Sequence, residues 1–238
     1  SPDRVYRYYS MLMDKIDNLL KTVYSEQKQL RDYEFKLIQA QINPHFLYNS
    51  LGMIESLINI SEYEEAVSHV HSLTSFYRLS LSTGADLITV EQEFKITESY
   101  LEIQKRRYIE YIDYSLHLDD NVKSIIIPKL TLQPIIENAI YHGLKESKNK
   151  GLIEVSGKCE NDELILSVRD TGKGMDAEKI STLLQKEDKE SFGLHSINER
   201  IKLLFGEKYG ISIESEVNSY TKVSVRIPLK YETDNANA

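Results

Sequence analysis

The sequence predicts an α plus α/β chain: an N-terminal coiled coil and a helical hairpin that dimerises as a four-helix bundle, followed by a two-layer α/β sandwich. Three observations carry this. An apolar stripe with 4,3 spacing runs from Val5 to Ala40, a second helical stripe follows after a short polar turn, and beyond Tyr111 short alternating runs separate helical patterns. With 238 residues the chain has room for more than one compact unit, since a domain takes roughly 100–150 residues.

The stripe Val5, Tyr9, Leu12, Ile16, Leu19, Val23, Glu26, Leu30, Tyr33, Leu37 and Ala40 keeps the heptad step without slipping, and charged residues between its members give it a solvated outside. An identical partner in parallel register, a homodimer, satisfies such a seam; one long amphipathic helix packed on its own domain is the alternative. Glu26 interrupts it. Pro44, Leu47, Leu51, Ile54 and Ile58 continue the alternation, so one helix is expected to run from the coil into the next module, loosened at Pro44, which has no N–H to offer Ala40. A second apolar line, Ile42, Phe46, Met53, Leu57 and Ile60, widens the buried face. Its partner is a helix from Glu62 to Ser82 with Ala66, Val70, Leu73, Tyr77 and Leu81 at helical spacing, and two copies of that hairpin make a four-helix bundle.

Thr89 and Gln92 match a capping box opening a helix from Val90 to Tyr108. Strands are expected at Tyr111 to Leu118, Leu152 to Lys158, Glu163 to Arg169, Ile211 to Val217 and Lys222 to Leu229, with helices near Leu130 to Leu144, Asp176 to Gln185 and Leu194 to Phe205. Residues 1–40, 41–88 and 89–231 thus read as signalling coil, dimerisation hairpin and sandwich, and residues 232–238 as a disordered tail.

Composition narrows the function. A net charge of −8, from 29 Lys and Arg against 37 Asp and Glu, leaves nucleic acid no basic footprint. No run approaches the roughly 18 apolar residues of a spanning helix, and Ser1 to Ser10 has no signal-peptide core. The fragment reads as soluble. The coil begins without a helix start signal, so a membrane-anchored sensor region is expected before it. The single cysteine, Cys159, has no disulfide or zinc-site companion, which points to a reducing compartment and the cytoplasm. His69 and His71, two apart on a helix, face different sides and do not read as a chelate.

Four places carry candidate chemistry. His45 lies one residue off the seam with Asn49 one turn below it, an imidazole beside a small amide on an outward stripe. That pairing suits a nucleophile presented to another module, although a lone helical histidine is as readily structural. Asn138, His142 and Lys145 share a helix face: an amide oxygen suits Mg²⁺ while His and Lys meet phosphate, or the face is simply solvated. Asp170-Thr-Gly172-Lys-Gly174 ends a strand, offering a carboxylate and close backbone approach, or an ordinary turn. Gly193 and Leu194 open a helix whose free N–H groups suit phosphate, preceded by Lys186 to Glu190, a lid or a solvated loop.

An Asn-bearing helix, a strand ending in Asp-x-Gly-x-Gly, then a lid and a Gly-Leu helix resembles the ATP-binding GHKL (Bergerat) domain. Placed after Ile42-Asn-Pro-His45-Phe-Leu-Tyr-Asn49-Ser-Leu, the whole resembles sensor histidine kinases of the LytS/YesM type over nearly the entire chain. Tyr100-Leu-Glu-Ile-Gln-Lys-Arg-Arg107 and Leu132-Gln-Pro-Ile-Ile-Glu-Asn-Ala139 are also similar to that family. The resemblance implies the cytoplasmic part of a bacterial membrane sensor: an ATP-dependent autokinase phosphorylated on His45, passing the group to a response-regulator aspartate. Asn49, one turn from His45 and with an amide that both donates and accepts, is expected to orient a water for phosphatase activity, or else to serve the helix structurally. The resemblance further implies that Asn138 holds Mg²⁺, that Asp170 accepts from the adenine amino group, that Gly172 and Gly174 shape the adenine pocket, and that Gly193 and Leu194 start the lid-side helix near the phosphates. The family pattern is broken at Tyr141, where a basic residue is common, at Ser191 and Tyr220, where glycine is, and at Ser196, where asparagine is. Phe46 follows His45 where other histidine kinases place a carboxylate; Glu137, beside Asn138, is one candidate base. The competing functions are a catalytically weak, nucleotide-dependent signalling scaffold and an ATPase that drives a conformational cycle.

Overall fold

The structure, a computed structural model, describes residues 11, 13, 15–24, 44–81, 87–108, 112–145, 150–183 and 192–229. The chain divides into two compact units, residues 1–49 and 50–238. In the first, residues 11, 13 and 15–24 are helical, and the seam residues Ile16, Leu19 and Val23 stand 44%, 65% and 48% exposed, so this chain does not cover them. Helix α1, Pro44–Asn59, opens on a proline, whose missing N–H costs nothing in a first turn. The division between units falls within α1. The expected passage of the coil into α1 lies outside the described residues, as do the lid at Lys186 to Glu190, Ser191 and the C-terminal tail.

In the second unit, Ser61 takes a left-handed φ of 65° and turns α1 into α2, Tyr63–Leu81. Ala66, His69, Leu73, Phe76 and Ser80 are buried on α2, whereas Val70 and Leu81, expected on its packed face, are 44% and 46% exposed. The buried stripe is offset because α2 packs chiefly on α3, Val90–Arg107. The rings of Phe76 and Tyr100 lie 5.7 Å apart, Ser72 Oγ donates to Glu102 Oε2 (3.2 Å), and Arg106 Nη2 donates to Ser68 Oγ (2.7 Å). Burial first, and the nearby Arg106 guanidinium second, push the His69 imidazole below its ordinary pKa.

The capping box is present at the start of α3: Gln92 N–H donates to Thr89 Oγ1 (3.2 Å) and Thr89 N–H to Gln92 Oε1 (2.9 Å). Before and after α3 come two strands too short for alternation to reveal, β1 Leu87–Thr89 and β3 Ile126–Pro128, paired antiparallel with Ile88 opposite Ile127. The main sheet contains β2 Ile112–Leu118, β4 Gly151–Glu160, β5 Glu163–Asp170, β6 Gly210–Glu216 and β7 Tyr220–Pro228 in the order β2-β4-β5-β7-β6. Only β2 and β4 are parallel among these strands. Asn161 and Asp162, both at positive φ, give the two-residue turn whose twist matches the β4–β5 hairpin.

One sheet face forms the core. Ile153, Val155, Leu164, Leu166, Val225 and Ile227 are all fully buried. With them lie buried residues of α3 and of the helices α4, Gln133–Asn138, and α6, Phe192–Phe205, among them Leu101, Ile136 and Ile201. The other face is polar, with Arg169 on Glu154 (2.8 Å) and Ser156 on Ser167 (2.7 Å). This is a two-layer α/β sandwich in which helix ends and strand ends meet along one rim. A short α5, Ala177–Leu183, lies between β5 and α6.

Candidate functional site

The segment after β3 builds one wall of the site. α4 has six α-helical residues and passes into π-helical turns at Ala139–Leu144. Wider turns change which residues share a face, and π turns commonly occur where function demands it. Asn138 and His142 therefore line the same cleft, whereas Lys145 does not. Lys145 Nζ instead stands 6.0 Å from the Tyr108 ring centroid and 5.8 Å from that of Tyr141. An ideal α-helix had predicted all three on one face; the π turns take Lys145 away from the cleft.

The opposite wall grows from β5. Asp170 ends a strand paired on both sides, with Ile153 and Thr221 as its register partners. It is only 3% exposed. Gly172 N–H donates to Asp170 Oδ1 (2.9 Å). A side chain at Gly143 would stand 2.5 Å from Asp170 Oδ1, and one at Gly172 would meet the Gly143 carbonyl, so two glycines let the helix and loop close around the carboxylate. Burial pushes Asp170 up to about 6, against the opposing Gly172 hydrogen bond and the Arg169 charge. Gly174 has a φ of +63°, and a Cβ there would collide with the Glu216 carbonyl. Its loop is tied to the helix by Lys173 N–H donating to Gly143 O (3.2 Å), and to the β6–β7 turn by Asn218 N–H donating to Lys173 O (2.6 Å).

Between these walls the cleft is lined by Asn138, His142, Gly143, Asp170, Gly174 and Leu194, with an apolar floor of Ile135, Ala139, Val168 and Val223 and with Lys173, Met175, Lys179 and Thr221 around it. The floor suits a flat apolar ring, Asp170 a donor on that ring's edge, and the amide, imidazole and two lysines an anionic tail. Gly193 is not in this lining but touches the same wall, where an added Cβ would lie 3.1 Å from Pro134. His45 is in the first turn of α1 and Asn49 one turn on; both belong to the other unit.

Asn138 Nδ2 donates to Pro134 O (2.9 Å), which fixes the amide's orientation. Its Oδ1 then accepts nothing among the described residues and borders the cleft. Those residues include no cluster of three or more His, Cys, Asp or Glu able to hold a metal. One oriented amide oxygen fits Mg²⁺ carried by a polyphosphate, because that ion takes few protein ligands and keeps water and phosphate oxygens for the rest. Glu137, the candidate base, lies outside the cleft lining and accepts from Tyr100 Oη (3.3 Å) and Gln133 Nε2 (3.1 Å). Tyr100, 1% exposed, is held well above its ordinary pKa by burial and by the Glu137 charge.

Sequence reasoning missed the supports of this wall. Glu93 on α3 accepts from Leu130 N–H (2.9 Å) and Leu132 N–H (2.8 Å), just before α4. The signal available was only a charged residue inside the apolar pattern Val90, Phe94, Ile96; its partners lie 37 and 39 residues away.

The histidine kinase family model matches residues 33–112, and the model for the histidine kinase-, DNA gyrase B- and HSP90-like ATPases matches residues 128–231. The sensor histidine kinase YesM of Bacillus subtilis (strain 168) is 36% identical to this chain, with 95% of this chain and 38% of YesM covered. The sensor histidine kinase BtsS of Escherichia coli (strain K12) is 32% identical, with 90% and 37% covered. YwpD of Bacillus subtilis (strain 168) is 33% identical, with 95% of this chain and 81% of YwpD covered. The chain thus spans less than two fifths of the length of YesM and BtsS.

Proposed function

The chain belongs to the sensor histidine kinases of the LytS/YesM type, and from that membership we propose that it is an ATP-dependent autokinase phosphorylated on His45 that passes the group to a response-regulator aspartate. The observation that carries the proposal is the convergence of Asn138, His142 and Asp170 on one glycine-shaped cleft with an apolar floor. In this reading the adenine lies against Val168 and Val223, and Asp170 accepts from its amino group. His142, Lys173 and Lys179 meet the anionic end. Asn138 Oδ1 would hold Mg²⁺, which supplies charge neutralisation on the phosphates.

An imidazole nitrogen of His45 attacks the γ-phosphorus; the N–P bond forms as the bond to the β,γ-bridging oxygen breaks, and ADP leaves with that electron pair. The displaced imidazole proton goes to a base, for which Glu137 is proposed. In the second transfer a regulator carboxylate oxygen forms the new O–P bond as the N–P bond breaks, and the His45 nitrogen keeps that electron pair and takes up a proton from water, departing as imidazole. Asn49 is proposed to orient a water toward the resulting acyl phosphate, since its amide both donates and accepts. The dimer is proposed through the coil, whose exposed Ile16, Leu19 and Val23 lack cover. The protein is further proposed to be the cytoplasmic part of a bacterial membrane sensor; no helix among the described residues is long and apolar enough to cross a membrane.

Incubation with γ-labelled ATP tests the reading. Acid-labile, alkali-stable label on the wild type and none on His45→Ala is the expected result. Nucleotide binding without label would favour the weak scaffold, and free phosphate without phosphoprotein would favour an ATPase cycle. Asn49→Ala should retain His45 label while slowing dephosphorylation of the regulator; equal loss of both would assign Asn49 a structural role. Light scattering on Leu19→Lys should show a weakened dimer, and a wild-type monomer at micromolar concentration would overturn the coiled-coil proposal.

A further inference from the structure

We propose that Glu93 and Arg200 are positioning residues that hold the phosphate end of the cleft from outside it, by clamping residues 129–132 ahead of the Asn138 helix. This inference rests on the nucleotide reading of the cleft. Glu93, in the first turn of α3, is 1% exposed, and its two carboxylate oxygens accept separately from Leu132 N–H (Oε1, 2.8 Å) and Leu130 N–H (Oε2, 2.9 Å). Arg200, on α6, donates Nη1 to Lys129 O (3.0 Å), and its charge acts favourably on the Glu93 carboxylate. The segment is gripped from both sides.

The segment needs gripping. Leu130 holds a left-handed φ of 59°, a conformation a branched side chain keeps only where its surroundings over-determine it. Leu132 O accepts from Ile136 N–H (3.0 Å) and so starts α4. A helix of six α residues has little stability of its own, so its anchor decides where Asn138 lies. α6 touches this wall a second time, where Gly193 packs on Pro134. Desolvation dominates at Glu93 and pushes its carboxyl up to about 7, against the hydrogen bonds of residues 130–132 and the Arg200 charge. None of these groups touches the cleft, and Asp170 is on β5, attached to none of them by a hydrogen bond.

The two ends of the cleft therefore separate in a binding experiment. Calorimetric titrations compare adenosine with the Mg²⁺ complex of a non-hydrolysable ATP analogue, using wild type, Glu93→Gln and Arg200→Met. Glutamine turns an N–H donor toward a backbone donor, so Glu93→Gln should weaken the Mg²⁺–nucleotide complex about tenfold while adenosine changes by less than about twofold. Arg200→Met, at a half-buried position, should give a smaller loss with the same selectivity, and it carries the test if Glu93→Gln does not fold. Equal losses for both ligands, or no loss for either, would overturn the positioning role. A wild type that binds neither ligand would overturn the nucleotide reading itself, and the clamp's purpose with it.

Discussion

The two ends of the cleft are held by different means. At one end Asp170 is 3% exposed, at the tip of a strand paired on both sides, with Gly143 and Gly172 against its carboxylate. At the other, Asn138 and His142 are half-buried on a short helix that changes pitch, anchored by contacts with α3 and α6. A strand end inherits its position from the whole sheet, because neighbouring strands share its hydrogen bonds. A short helix has only its anchors. On the proposed nucleotide reading, recognition of a base would rest on the rigid part of the fold, while the reacting end could be moved by elements that never touch the ligand.

The largest break in this comparison should come from Gly174→Ala. The added methyl meets the Glu216 carbonyl, and the residue must hold φ +63°; together these should cost about 2–5 kcal/mol of unfolding free energy. Chemical denaturation measures it, and an unchanged midpoint would mean that the loop yields freely. Next is Asp170→Asn, which should weaken adenosine roughly 10- to 100-fold, the scale of a hydrogen bond to a charged group. Guanosine, which has no amino donor at that ring position, should be nearly unaffected. Equal effects on both would place the base elsewhere.

Acidity sharpens the contrast. Glu93 and Asp170 have folded pKa values of about 7 and about 6, above ordinary values of 4.5 and 3.8. Each therefore costs stability when ionised, and that cost is fully present above the folded value. It shrinks as pH falls through about 7 and about 6, and is gone below the ordinary values. The wild type should gain on the order of 4 kcal/mol between pH 7.5 and 5 relative to the double variant Glu93→Gln/Asp170→Asn. Adenosine affinity should fall over the same range, because protonated Asp170 is a poorer acceptor. A flat adenosine profile would show that Asp170 does not meet the base as a carboxylate. The smallest effect is expected from Tyr100→Phe, which removes the hydroxyl's bond to the Glu137 carboxylate and the bond it accepts from Gln104 Nε2 (2.7 Å) and should cost about 1–2 kcal/mol of stability. If Glu137 is the base, the same variant should also move the pH dependence of His45 labelling.

The proposed adenine end was legible because its chemistry is local. Asp170, Gly172 and Gly174 lie within five positions of one another, and such a spacing after an alternating run reads as a strand end followed by a close turn. The proposed phosphate end was only half legible. Asn138 and His142 stand four apart, a helical spacing, but nothing in the residues 139–144 announced the π turns that turn Lys145 away. Glu137 stood out only by its position beside Asn138; its bond to Tyr100 spans 37 positions. The capping box of α3 was readable at Thr89 and Gln92, whereas the offset of the buried stripe on α2 was not, since Val70 and Leu81 fit a helical period as well as His69 and Ser80 do.

The sequence by itself determined the long elements: the helix caps and breaks, the alternation that makes each long strand one-sided, and the glycines without which helix and loop cannot close on Asp170. These depend on neighbours along the chain, where spacing is fixed by bond geometry. Only the tertiary structure decided which elements lean on which: α2 on α3, Glu93 under the start of α4, Arg200 reaching from α6 to Lys129 O. Those pairings join residues up to 71 positions apart. They are chosen by the burial of whole faces and by the need of each buried carboxylate and backbone N–H to find a partner, and a one-dimensional pattern carries neither requirement.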